Sequence, residues 1–322
     1  MSSPRFGFYF GSPSRRSAPA LRLIFFAATL AAAAACSAPD SATAAKSDAP
    51  KGSLLIVGGG PQPDSLVRAF VDLAGGAGKA RIVIFAMASE DGLAGGNEKA
   101  DDLRKLGAEA INVYITREQA DQDSIVHLLD GATGIWFGGG DQVRLTRAIG
   151  GTRVEQAIHD RYSDGAVVGG TSAGAAVMST PMITGDERHP GGARPDSTDP
   201  FKIIARDDII TDSGFGLIQG AIVDQHFLRR KRHNRLISTV LEHPTLLGIG
   251  IDESTALLVQ PDGKWRVLGA SAVIVYDARH AAITPAGAPV LGATGITMHV
   301  LPAGSTFDPG SGEGVLPGGE QP

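Results

Sequence analysis

Residues 168–174 read VGGTSAG, and within them Gly170-Thr171-Ser172-Ala173-Gly174 sets a serine between two glycines at i−2 and i+2. That pattern fits a sharp strand-to-helix corner that exposes the serine hydroxyl and needs small residues on both sides. The chemistry is acyl transfer: Ser172 would attack a carbonyl, and the Ala173 N–H, at the start of a helix, would face the developing oxyanion. A flexible glycine loop that merely turns the chain or cradles a phosphate is the alternative. A serine nucleophile needs a base within hydrogen-bond reach. Of eight histidines, His226 in AIVDQHFLRRKRHNRLI follows directly on an apolar run. His127, His159 and His243 fall in helical, surface-like contexts, His189 in a polar loop and His280 in a late turn. His233 shares a helical stripe with Ile237, Val240 and Leu241, which predicts packing or capping. The third member should be a carboxylate. Between Ser172 and His226 the acids are Asp186, Glu187, Asp196, Asp199, Asp207, Asp208, Asp212 and Asp224, and spacing does not choose among them.

Such residues have to be held by a rigid frame. Apolar runs at 53–57, 81–86, 111–115, 134–137, 166–169, 221–224, 246–251, 256–259 and 271–276 read as strands. Helical patterns alternate with the early ones: Asp64–Leu73, Asn97–Leu106, Glu118–Leu129, Gln142–Ile149 and Val154–Tyr162. Near-continuous apolar strands alternating with helices predict an α/β fold, a mostly parallel sheet with helices on both faces. The later strands have fewer helices and more turns, which suggests antiparallel additions toward the C-terminus. Three glycine clusters, 57–60, 137–142 and 168–174, follow strands directly, where an open parallel sheet binds its ligands. Pro61 follows the first cluster, so the dinucleotide fingerprint is missing.

The chain has 322 residues, 43% apolar, with 43 glycines and a formal charge of −5, and no basic footprint for nucleic acid. Arg5, Arg15, Arg16 and Arg22 precede the apolar run Leu23–Ala35, which is too short to span a bilayer but suits a signal peptide. It ends on Cys36, the one cysteine of the chain, in an AAAC setting like a lipobox; ordinary signal-peptidase cleavage is the alternative. Residues 1–36 are therefore expected to be an export signal with a lipidated Cys36. Removing the signal arginines would take the charge from −5 to −9. Residues 37–51 read as a flexible linker, 52–302 as the catalytic α/β domain and 303–322 as a disordered tail. A periplasmic or extracellular, lipid-anchored protein is the expectation. One cysteine allows no internal disulfide and no cysteine-rich metal site, and no cofactor or metal is called for.

The blocks GGGDQVRL, GGTSAGAAVMS and DQHFLRRKRHNRL together resemble the cyanophycinases, exopeptidases within the dipeptidase-E-like serine peptidases. The resemblance runs from about Gly52 to Tyr276, and its third block carries Asp224, His226, Phe227, Arg230, Arg232, Arg235 and Leu236 in the family's order. It implies a fold similar to class I glutamine amidotransferases, flavodoxin-like in its parallel core. A true amidotransferase would use cysteine at this corner, and none is present.

The resemblance implies that Ser172 is the nucleophile and His226 the general base. It puts the acidic member on the segment soon after the serine, where Glu187 stands with Asp186 beside it. Oxyanion donors would be the N–H groups of Ala173 and Gly140. Asp141, Gln142, Asp224, Arg230, Arg232 and Arg235 would bind substrate, with Arg230 first for a carboxylate. As a helix from residue 228, the segment would put Arg230 on the stripe of Ile237 and Leu241, and Arg232 and Arg235 on the far side; either the helix starts later, or only some of these arginines face the pocket. The implied substrate is cyanophycin, a poly-aspartate backbone with arginine on each β-carboxyl, cleaved to β-Asp-Arg dipeptides. A related aspartyl or isoaspartyl dipeptidase, or a catalytically idle binding lipoprotein on the same fold, are the alternatives; a homodimer is compatible with each. An α/β-hydrolase esterase fits less well, since no HGGG-type stretch precedes the serine.

Overall fold

Burial of the apolar runs on both faces decides the architecture. The structure, a computed structural model, describes residues 49–188, 201–288 and 290–318. Cys36, the segment 1–36 and most of the 37–51 linker lie outside the described residues, as do Asp196 and Asp199. From residue 52 to residue 176 the chain alternates strand and helix: β1 (Leu54–Val57), α1 (Asp64–Leu73), β2 (Arg81–Phe85), α2 (Gly92–Lys105), β3 (Glu109–Val113), α3 (Asp123–Val126), β4 (Gly134–Phe137), α4 (Gln142–Ile149), α5 (Arg153–Asp164), β5 (Val167–Thr171) and α6 (Ala173–Ala176). The five strands are parallel in the order β1-β5-β4-β2-β3. All four residues of β1 and of β4 are buried. Because side chains alternate across a strand, Leu54 and Ile56 join the core under α4 and α5, while Leu55 and Val57 join the core under α1 and α2.

The remaining chain adds β6 (Met182–Glu187), β7 (Ile209–Asp212), β8 (Ala221–Gln225), α7 (His233–Glu242), β9 (Leu247–Ile251), β10 (Thr255–Val259), β11 (Trp265–Gly269), β12 (Ala272–Asp277), β13 (Ala282–Ile283), β14 (Ala293–Thr294), β15 (Thr297–Pro302), β16 (Thr306–Asp308) and β17 (Glu313–Val315). Antiparallel β10, β11, β16 and β17 extend the main sheet beyond β1. The fold is thus α/β with a mostly parallel core and antiparallel additions, as the patterning indicated. A second sheet, β15-β12-β9-β8, pairs β8 and β9 in parallel. His226 therefore leaves a different sheet from Ser172. The loop after β1 joins the two: Ser172 N–H donates to the Val57 carbonyl at 3.1 Å and His226 N–H to the Gly58 carbonyl at 2.7 Å.

Three expectations change. The 303–322 tail is not wholly irregular, because Phe307 in β16 is buried against Trp265 with ring centroids 5.4 Å apart, which anchors β16 and β17 to the sheet. The pattern at Glu118–Leu129 yields only α3 and a short 3₁₀ turn, His127–Leu129. The helix of the arginine block begins at His233 instead of residue 228, with Lys231 at φ +53° just before it.

Candidate active site

The corner at Ser172 has the geometry that its glycines predict. Ser172 stands between β5 and α6 at φ 56°, ψ −113°, a backbone conformation that costs energy for any L-residue. A side chain on Gly170 would run into the Gly174 carbonyl, and one on Gly174 into the Phe137 carbonyl. Both glycines are therefore required for the turn to close, and the hydroxyl is left pointing out of the sheet.

Ser172 Oγ lies 2.9 Å from His226 Nε2, and His226 Nδ1 lies 2.6 Å from Glu253 Oε1. A carboxylate at Nδ1 fixes the proton there, so Nε2 presents its lone pair to the serine O–H. His226 follows β8 at φ +49° and is almost buried. Burial holds its pKa below the ordinary value of 6.5; the hydrogen bond that His226 donates to Glu253 opposes that shift, and the nearby Arg230 charge adds to it. An imidazole of lowered pKa is unprotonated at neutral pH, as a general base must be.

Glu253 lies in the turn between β9 and β10, just past the buried run Leu247–Ile251. The glycine cluster after β1 makes room for it. A side chain on Gly59 would occupy the space of the His226 ring, and one on Gly60 would meet Glu253 Cβ at 2.9 Å. Ser254 N–H donates to the Gly59 carbonyl at 2.9 Å and closes this packing.

The carboxylate expected at His226 was Glu187, and the structure puts it elsewhere. Glu187 ends β6, where its Oε1 accepts from Phe201 N–H at 2.6 Å. Asp186 neighbours it, exposed, on the same strand. The acid at the imidazole was missed because only acids between serine and histidine were weighed. The signal was available: Glu253 follows an apolar strand run, the same cue that singled out His226.

Of the expected oxyanion donors, Ala173 opens α6 beside the serine. The 138–140 loop lies against Ser172, such that a Cβ on Gly139 would meet the Ser172 Cβ at 3.4 Å; Gly140 itself, at φ +138°, packs on Ala88 and Ser89.

The expected substrate-binding residues divide. Asp141 caps α4, its Oδ1 accepting from Val143 N–H at 2.8 Å. Gln142 is buried, and its Nε2 donates to the carbonyls of Ile183 at 2.8 Å and Thr184 at 2.5 Å, tying α4 to β6. Asp224 and Arg235 are both 1% exposed and pair in the interior, Arg235 Nε to Asp224 Oδ2 at 2.8 Å and Nη2 to Oδ1. Arg232 Nη1 donates to the Gln225 carbonyl at 2.8 Å and to Gln225 Oε1 at 2.9 Å, and burial followed by the Arg235 charge presses its pKa down. Arg230 alone of these three arginines is solvent-exposed. Positive charge near the serine–histidine pair thus comes from Arg230 and, behind it, Arg232, while Asp224 and Arg235 pair in the interior. His233 does pack, its Nδ1 2.7 Å from Tyr276 Oη and its ring edge-on to Phe227. Among the described residues, no three His, Cys, Asp or Glu side chains converge as a metal site would need.

The chain resembles known proteins over most of its length. The model of peptidase family S51 matches residues 54–267, from β1 into β11. The chain is 35% identical over 271 residues to a cyanophycinase of Nostoc sp., covering 80% of this chain and 86% of that protein. It is 33% identical over 252 residues to a cyanophycinase of Synechococcus elongatus, covering 76% and 74%. A crystal structure of a peptidase from an acI-B1 Actinobacterium superposes with a TM-score of 0.57 at 26% identity, covering 76% of this chain and 98% of that one. The matched region contains Ser172, His226 and Glu253, and the chain belongs to peptidase family S51, as a serine-type peptidase acting on a peptide or polymer substrate.

Proposed function

We propose that the chain is a serine exopeptidase that hydrolyses cyanophycin to β-Asp-Arg dipeptides through an acyl-enzyme. The observation that carries this reading is the hydrogen-bonded chain Ser172–His226–Glu253, in a protein 35% identical to cyanophycinases over most of its length. His226 Nε2 takes the Ser172 proton as Oγ attacks the scissile carbonyl, and Glu253 stabilises the imidazolium that forms. The oxyanion is held by the N–H of Ala173, with Gly140 as second donor. His226 then protonates the leaving amine. Water, deprotonated by the same imidazole, attacks the acyl ester, and Ser172 regains its proton as the product acid leaves. Glu253 thus takes the role the family resemblance had assigned to Glu187. Arg230, exposed and close enough for its charge to act on His226, is the cation for a substrate carboxylate.

The test is to incubate the protein, and its Ser172→Ala variant, with insoluble cyanophycin and with β-Asp dipeptides, and to identify products by mass. Soluble β-Asp-Arg from the wild type alone is the expected result. Cleavage of β-Asp dipeptides with the polymer untouched would favour a dipeptidase, and well-folded protein that turns over neither would overturn the proposal.

Export follows from the 1–36 segment, with anchoring through Cys36, and would let the enzyme act on polymer released by other cells. Cys36→Ser should move the protein from the membrane fraction to the soluble one; an unchanged distribution would refute the anchor.

A further inference from the structure

A cavity of about 290 Å³ lies beside the nucleophile, on the face of the sheet covered by α1 and α2. Thr171, Gly138 and Gly139 form its wall toward Ser172, and Gln62, Gly95 and Lys99 line it farther away. Gln62 belongs to the loop after β1 whose glycines pack against His226 and Glu253, so one segment borders both the hydrogen-bonded chain and the cavity.

Lys99, on α2, has an unusual setting. Its Nζ sits 4.6 Å from the centre of the buried Trp136 ring and donates to Gln62 Oε1 at 2.7 Å. Among the described residues it makes no ion pair within 4.0 Å. Burial lowers its pKa to about 8, and the charge of Asp102, one turn along the helix, offsets that only in part. At neutral pH the group is therefore a half-buried ammonium, held by a ring face and one amide oxygen. An ammonium has three N–H donors, and with one taken by Gln62 and no carboxylate of the described residues within 4.0 Å, it can still receive an anionic partner.

The helix that carries the cation also leaves space beside it. On α2, side chains on Gly92 and Gly96 would collide with the Ala86 carbonyl and with Asn112, so these two glycines serve helix packing. Gly95 is different: it lines the cavity, and a Cβ there would meet nothing within 4 Å. Trp136 supplies an apolar floor that excludes water and raises the value of a charge–charge contact.

We propose that this cavity is a substrate subsite in which Lys99 binds a carboxylate adjacent to the scissile bond. The inference rests on the aspartyl-peptide reading above and deepens it. Arg230 N–H donates to the His226 carbonyl and its charge acts on that ring, while Lys99 lines a cavity bordered by Thr171 and Gly139, so two separate cations are available to a substrate held at the serine. A substrate that repeats a carboxylate in every unit can engage both. Lys99 is then a specificity-determining residue, and a carboxylate seated on it completes its coordination.

The experiment uses paired synthetic oligomers of the β-arginyl-aspartate repeat, one with free arginine carboxylates and one with arginine amides. They are assayed with wild type, Lys99→Met and Gly95→Leu. Methionine keeps an apolar stem over Trp136 and removes the charge; leucine leaves the charge and fills the cavity. The wild type should prefer the free acid. Each variant should lose about 10- to 100-fold in kcat/KM on the acid, as expected for one charge-assisted hydrogen bond. In Lys99→Met the amide should be hydrolysed at the wild-type rate, and both variants should react normally at Ser172 with a small phosphonofluoridate. A merely structural lysine would lower the melting temperature and leave the acid/amide preference in place, and that result would overturn the subsite. So would wild type that hydrolyses both oligomers equally, while the proposed activity stands. Wild type that hydrolyses neither would remove the aspartyl-peptide reading, and the subsite with it.

Discussion

Replacing Arg235 with methionine would leave the Asp224 carboxylate in the interior with few partners. Arg235 supplies two of its hydrogen bonds, and both side chains are 1% exposed. What remains is the Gln225 N–H at 2.7 Å and Arg232 Nη1 at 4.0 Å, the latter already engaged with Gln225. Breaking a buried pair from one side costs about 3–5 kcal/mol, because the uncompensated charge stays behind. At roughly 2–3 °C per kcal/mol for a domain of this size, the melting temperature should fall by about 6–15 °C. Replacing both members with apolar residues, Asp224→Leu with Arg235→Met, removes the stranded charge and should recover most of the loss. The cation–π contact of Arg235 with Phe201, 4.7 Å to the ring centroid, is lost in either variant and so cancels between them. Thermal melts of the three proteins at one pH provide the assay. A single variant within about 2 °C of wild type, or a double variant as unstable as the single, would refute the reasoning that this pair belongs to the frame.

The acidic limb of kcat/KM should follow His226, which works unprotonated, and should lie below pH 6.5 because burial holds its pKa down. Glu253→Gln removes the two influences that raise that pKa, so the limb should move further down while kcat drops by about 10⁴-fold; Arg230→Met removes an opposing charge, and the limb should move up. pH–rate profiles check both, and a limb that rises in Glu253→Gln would contradict the assignment. Gly59→Ala should cost about 100-fold in kcat by pushing the imidazole off Ser172. Gly76→Ala, also at positive φ but with nothing within 4 Å of its Cβ, should lose stability and keep its rate, as activity assays beside thermal melts would show.

Much of this arrangement was legible because buried parallel strands are written as continuous apolar runs. Leu54–Val57 and Gly134–Phe137 follow that rule, and the glycines around Ser172 follow from the sterics of its corner. Glu253 carries the cue of an acid just past an apolar strand run, but in an Asp-Glu-Ser turn it also reads as solvated surface; the packing of Gly59 and Gly60 decides between the two. Asp224 and Arg235 were expected at the substrate through the family resemblance alone; strand β8 and helix α7 bring them together as a buried pair, across a distance that helical periodicity cannot express. The glycine-rich tail was misread in the same way, since one aromatic, Phe307, outweighs the loop composition around it.

The central claim is that Glu253 orients His226 to activate Ser172, and the rate of covalent modification of Ser172 tests it most directly. Wild type, Glu253→Gln and Glu187→Gln would each be treated with a phosphonofluoridate at neutral pH, with the modified peptide mapped by mass. The account predicts modification at Ser172, slowed by at least about 100-fold in Glu253→Gln and unchanged in Glu187→Gln. Loss of reactivity in Glu187→Gln with Glu253→Gln at the wild-type rate would contradict it.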